Sequence, residues 1–80
     1  GVRDKGAIAI ANNCPNLTAI DLFMTGVTDA GAIEIANKCS KLTEISLGET
    51  KVTGECKRQI EEVRERLQVY DVPFWLARYI

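Results

Sequence analysis

The sequence predicts an α/β fold in which short strands and helices alternate in 25-residue units, stacked as a right-handed solenoid. Three observations predict it. Shifted by 25 residues, the chain falls onto itself without a gap. Within each unit the apolar spacing changes from period two to helical period. A net charge of −1 and an ordinary apolar share describe a globular chain, not a disordered one.

The self-match is long. Val2 falls on Val27, Asp4 on Asp29, Gly6 on Gly31, Ile8 on Ile33, Ile10 on Ile35 and Cys14 on Cys39. It continues with Leu17 on Leu42, Ile20 on Ile45, Leu22 on Leu47, Thr25 on Thr50, Val27 on Val52 and Thr28 on Thr53. Ile20-Asp21-Leu22 and Ile45-Ser46-Leu47 have the alternation of a short strand with one buried face. Thr28 is a suitable N-cap, Asp29 places negative charge at the positive end of the helix dipole, and Ile33 and Ala36, with Ile35 beside them, form the inward stripe. These signals predict a helix over about Asp29–Lys38. A preceding copy is predicted over Asp4–Asn13, with Pro15 helping to stop it. The short parallel sheet then lines the concave side and the helices the convex side.

The pattern C-x-x-L-x-x-I-x-L-x-x-T-x-V-T-D-x-G-x-x-x-I-A resembles the cysteine-containing leucine-rich repeats of F-box receptor proteins and other scaffolds, strongly from Gly1 to Thr53 and weakly beyond. The resemblance implies a protein-binding solenoid. Its most specific implication is substrate recognition within a ubiquitin ligase. One position departs from the family: Thr25 and Thr50 stand where Asn or Cys is usual, with hydroxyls able to bond loop backbone groups.

After Val52-Thr53 the repeat decays, with Gly31 replaced by Cys56, Ile33 by Arg58, Ala36 by Glu61 and Cys39 by Arg64. A longer helix, Gly54 to about Arg66, is expected here, with Ile60, Val63 and Leu67 inward. Its outer face carries Lys57/Glu61, Arg58/Glu62 and Glu62/Arg66 as opposite-charge pairs and Glu61/Glu65 as a like-charge pair. Continuing the register puts Leu67 under Leu42, Tyr70 under Ile45 and Val72 under Leu47, a degenerate last strand. The expected organisation is therefore repeat units over 1–71 (partial unit 1–13, units 14–38 and 39–66, last strand 67–72) and an aromatic tail over 73–80. Pro73 ends the strand and opens a short helix. The tail is expected to fold Phe74, Trp75 and Ile80 over the open end of the stack. The alternative is a docking segment presenting Phe74, Trp75 and Tyr79.

Chemistry-bearing groups are sparse. There is no His, no CxxC pair and no phosphate-cradling glycine motif, so neither a metal, a cofactor nor an enzyme is expected. Three widely spaced cysteines do not form the framework of a small secreted domain, which points to an intracellular, cytoplasmic setting. Cys14 and Cys39 read as small buried thiols repeated down the stack. Cys56, near a helix start, is the position where a thiol pKa could be lowered. Interspersed charges disfavour nucleic acid, and no run approaches the ~18–20 apolar residues of a membrane span.

Binding is expected on the concave face. There Ala19, Asp21, Phe23, Met24, Glu44, Ser46, Gly48 and Glu49 point outward, with Asp21, Glu44 and Glu49 as an acidic strip and Phe23 and Met24 as the bulky apolar anchors. The chain opens in mid-pattern, so upstream repeats are expected partners, and a first face lined by Ile8 and Ile10 offers self-association. The expected function is a non-catalytic protein-interaction module, the C-terminal part of an intracellular leucine-rich-repeat scaffold. The alternative is a capping or assembly segment of a larger complex.

Overall fold

A computed structural model of the chain describes residues 3–79. Its elements are α1 (Asp4–Asn13), β1 (Ala19–Asp21), α2 (Asp29–Lys38), β2 (Glu44–Ser46), α3 (Gly54–Val63), β3 (Gln68–Tyr70) and α4 (Phe74–Ala77). The three strands form one parallel sheet in the order β1-β2-β3; α2 and α3 make the two crossovers between them, and α1 precedes β1. Gly1, Val2 and Ile80, and the expectations placed on them, lie outside the described residues.

The core fills the space between sheet and helices. Ile20, Leu22, Ile45 and Leu47 enter it from the strands, and Ala7, Ala11, Ala32, Ile35 and Ala36 from the helices. In α2 the inward stripe is Ala32, Ile35, Ala36, continued by Cys39 just past the helix end, which is the i, i+3, i+4, i+7 spacing of one helix face. Ile33 and Ile35 are about 200° apart around a helix, so only one can face the sheet. Ile35 does, and Ile33, expected inward, is 42% exposed. On α1 the matching Ile10 is exposed and Ile8 half-buried, because no neighbour covers that side among the described residues.

Successive helices are joined by one contact used twice. Asp4, in the first turn of α1, accepts the Thr28 backbone N–H at Oδ1 (2.7 Å) and the Thr28 hydroxyl at Oδ2 (2.5 Å). Asp29, in the first turn of α2, does the same for Thr53, at 2.7 and 2.8 Å. Thr28 thus stands at the N-cap position without capping its own helix. Its hydroxyl is spent on the previous helix instead. Thr53 does both, also accepting the Cys56 N–H at 3.2 Å. At the first of these contacts Gly31 lets the helices approach closely, since a Cβ there would meet the Asp4 carboxylate and lie 3.2 Å from Asp4 Cα; at the second the same bonds form with Cys56 in that place. In the loops, the Thr25 hydroxyl donates to Leu22 O (2.8 Å) and the Thr50 hydroxyl to Leu47 O (2.6 Å), the backbone bonding expected of these positions.

The third unit departs from the expected layout. Helix α3 stops at Val63, three residues early, and Val63 is 78% exposed. The next residue, Arg64, sends its guanidinium back to the Ser40 (3.0 Å) and Leu42 (3.1 Å) carbonyls and to Ala36 O near the end of α2. The chain turns here, and Leu67 N–H closes the turn on Arg64 O at 2.9 Å. None of the i,i+4 pairs expected along α3 forms an ion pair among the described residues, and Lys57 pairs with Asp71 instead (2.8 Å). The strand register also slips. Ile20 pairs with Ile45, 25 residues on, but Ile45 pairs with Val69, only 24 on. Val69 therefore takes the inward place and Tyr70, expected under Ile45, lies opposite Ser46 on the other face.

Hydrogen bonds from the Thr28 hydroxyl, and then from the Thr28 and Gly31 backbone N–H groups, hold the Asp4 carboxyl below its ordinary value of 3.8 despite partial burial. A lowered folded pKa means the contribution is fully present above that value and is lost as pH falls through the lower folded one. In urea titrations the native chain is expected to lose stability over that acidic window more steeply than Asp4→Asn, with the variant about 1 kcal/mol weaker at neutral pH. Parallel curves for the two chains would remove Asp4 from the account.

Candidate protein-binding face

The sheet face turned away from the helices gathers the residues expected to bind, and the chain's own tail lies on it. Asp21, at the end of β1, accepts the Phe23 N–H at Oδ1 (3.1 Å) and the Phe74 N–H at Oδ2 (2.9 Å). Glu44 in β2 is half-buried and pairs with Arg78 at 2.5 Å. Ser46, expected to be exposed, is fully buried, with its hydroxyl donating to Val72 O at 2.6 Å. Side chains from two strands thus hold Val72, Phe74 and Arg78. The tail does not close the end of the stack as expected; it crosses the sheet.

Pro73, with φ −65°, directs the chain into α4, and both Pro73 and Phe74 are buried. The Phe74 ring meets Tyr70 edge to face (centroids 6.0 Å, planes 82° apart) and carries the Arg78 guanidinium 4.6 Å from its centroid. Arg78 therefore binds two partners at once. Trp75 and Tyr79 are 72% and 88% exposed. The fold-back expected of Phe74 and Trp75 is made by Phe74 alone.

Gly48 makes room for this crossing. A Cβ at Gly48 would collide with the Asp71 carbonyl and lie 3.0 Å from Phe23 Cδ1. The sequence signal for this is Gly48 itself, which occupies the repeat position of Phe23 and breaks an otherwise close match. Phe23 is half-buried against that backbone. Met24 is 73% exposed, and Glu49, its counterpart one repeat on, is also exposed. Both adopt left-handed backbone, φ 59° and 53°, a turn that recurs without glycine. Of the residues singled out from sequence, Met24, Glu49, Trp75 and Tyr79 are presented to solvent, and Asp21, Glu44, Ser46 and Phe74 are engaged within the chain.

The cysteines divide. Cys39 is fully buried, as expected, whereas Cys14 is exposed. Burial pushes the Cys39 thiol up, partly offset by the Arg64 guanidinium. Cys56, where a lowered value was expected, is also pushed up: burial is the main cause, and the Asp29 charge and hydrogen bond add to it. Among the described residues no three His, Cys, Asp or Glu side chains are placed to hold a metal ion. No described helix is long and apolar enough to cross a membrane.

Parallel strands, helical crossovers on one face and the recurring Thr–Asp step are consistent with an α/β fold like that of leucine-rich repeats. Residues 13–36, which run from the end of α1 through β1 into α2, match the family model described as Leucine Rich repeat. No curated protein and no solved structure matches the chain.

Thiol labelling of the folded chain is expected to modify Cys14 promptly, and Cys39 and Cys56 only as the chain opens. Equal rates at all three sites would contradict the packing described for α2 and α3.

Proposed function

We propose that the chain is a non-catalytic protein-interaction module of an intracellular leucine-rich-repeat solenoid scaffold. The observation that carries this reading is the pair Trp75 and Tyr79. These two large aromatic side chains, four residues apart, stand in solvent on a tail that is itself anchored to the sheet. Exposed aromatics on a fixed support are the usual anchors of protein interfaces, and pre-anchoring reduces the ordering lost on binding. Met24 is a further apolar contact and Glu49 an acidic one. The leucine-rich-repeat match over residues 13–36 supports the same reading, since such repeats generally mediate protein–protein interactions. The intracellular setting rests on three cysteines, none in a disulfide. Substrate recognition within a ubiquitin ligase is the particular form that the family resemblance implies.

The second reading, a capping segment for a larger assembly, is favoured by a different observation. The Asp–Thr step stops at Gly54, which holds the place of Asp4 and Asp29, and the tail then crosses the sheet. Capture of crosslinked partners by the immobilised chain distinguishes the two. Joint replacement Trp75→Ser and Tyr79→Ser is expected to lower capture at least about tenfold, the effect of losing two interface anchors, and to leave the melting temperature within a few degrees of the parent. Unchanged capture would exclude Trp75 and Tyr79 as the anchors and favour the capping reading.

A further inference from the structure

The sheet face does more than lie beneath the tail; it reads it. Asp21 and Ser46 bond the tail's backbone, at Phe74 N–H and Val72 O, and so recognise any polypeptide laid in this path. The remaining contacts are selective. Phe74 packs its ring edge to face with Tyr70, and Glu44 takes the arginine that also covers that ring. Gly48 keeps the path open by leaving the Asp71 backbone room to approach. Backbone acceptors and donors, an aromatic contact and an acidic contact in one line are the parts of a peptide-recognition site.

Few side chains of the occupant are buried. Only Pro73 and Phe74 are buried, whereas Trp75, Leu76, Arg78 and Tyr79 remain exposed. Phe74 also lies outside the main core between sheet and helices, so the tail can leave without opening that core. The acidic residues Asp21 and Glu44 favour a basic occupant over an acidic one. We propose that this face is a binding site for a segment of another protein built like residues 72–78 — a residue offering its carbonyl, then proline, then an aromatic residue, then an arginine four positions after the aromatic — with the tail as its intramolecular occupant.

This inference rests on the interaction-module reading and adds the chemistry of the ligand. Tethered in cis, the tail competes at an effective concentration on the order of millimolar, so an outside segment binds measurably once the tail is weakened. The probe is a fluorescent peptide with the sequence of residues 72–80, titrated against the full chain by anisotropy. Phe74→Ala in the chain is expected to raise peptide affinity at least about tenfold over the parent, and Arg78→Ala several-fold. Adding Glu44→Arg to either variant is expected to abolish the gain, and a peptide carrying Arg78→Glu to restore it. If Phe74→Ala does not fold by circular dichroism, Arg78→Ala alone decides, because its side chain is exposed.

Two results would overturn the proposal. One is a folded, tail-weakened chain that binds the peptide no better than the parent, or binds it without regard to the charge at residue 44. The other is a parent chain that sediments as a dimer and becomes a monomer on Arg78→Ala, which would make a second copy's tail the occupant. Either outcome leaves the partner-capture test at Trp75 and Tyr79 standing by itself, so the two readings fail separately.

Discussion

The contact on which the rest of the structure depends is the aspartate that opens one helix and holds the threonine before the next. Asp4 with Thr28 and Asp29 with Thr53 repeat the same two hydrogen bonds, one to an N–H and one to a hydroxyl. Each fixes where a helix starts relative to its predecessor, and so sets the pitch that places Ile20 beside Ile45 in the sheet. Between α1 and α2 the step is made at close approach, with Gly31 against Asp4. Cys56 holds the corresponding place in α3, and α3 lies against α2 less closely than α2 against α1. A groove lined by Ile33, Cys56, Ile60 and Val63 opens between α2 and α3. The helix layer is closer where this position is glycine and looser where it is cysteine, while the aspartate contact itself forms at both.

The tail is secured by apolar burial more than by charge. The Arg78–Glu44 pair joins an exposed guanidinium to a partly exposed carboxylate, and such pairs are worth about 0–1 kcal/mol. Burying a phenylalanine side chain is worth about 1.5–3 kcal/mol, and a partly exposed cation–π contact about 0.5–1 kcal/mol more. Phe74 is therefore the anchor and Arg78 the selector. Ser46 adds a different constraint, because its buried hydroxyl needs the Val72 carbonyl once the tail is in place. The face expected to meet a partner directly is in this chain already satisfied by a partner covalently attached to it.

Much of the fold was legible because it repeats. The bounds of α1 and α2, the strand positions and the loop roles of Thr25 and Thr50 follow from residues that recur at a fixed interval, each copy checking the other. Reading failed where the repeat offered no second copy or two equal choices. Ile33 and Ile35 both fit a helical stripe with Ala36, and only the position of the sheet selects Ile35. The single-residue slip before β3 follows the turn at which Arg64 reaches back to the Ala36, Ser40 and Leu42 carbonyls, a long-range contact with no local signature. The sheet face was found as a set of outward positions, but its occupancy was not, since Asp21 and Phe74 are separated by 53 residues. Gly48 in the place of Phe23 was the one visible hint that something passes close by.

Hydrogen exchange at the Phe74 amide tests the central claim, that the tail is bound on the sheet face, most directly. Phe74 is the first residue of α4, where an N–H has no acceptor within its own helix, so protection there must come from Asp21 Oδ2. The account predicts exchange at least about tenfold slower than in an unstructured chain, with protection lost in Asp21→Ala while the amides of Ile45 and Leu47 stay protected. Exchange of Phe74 at the unstructured rate in a chain whose β2 amides are protected would contradict it.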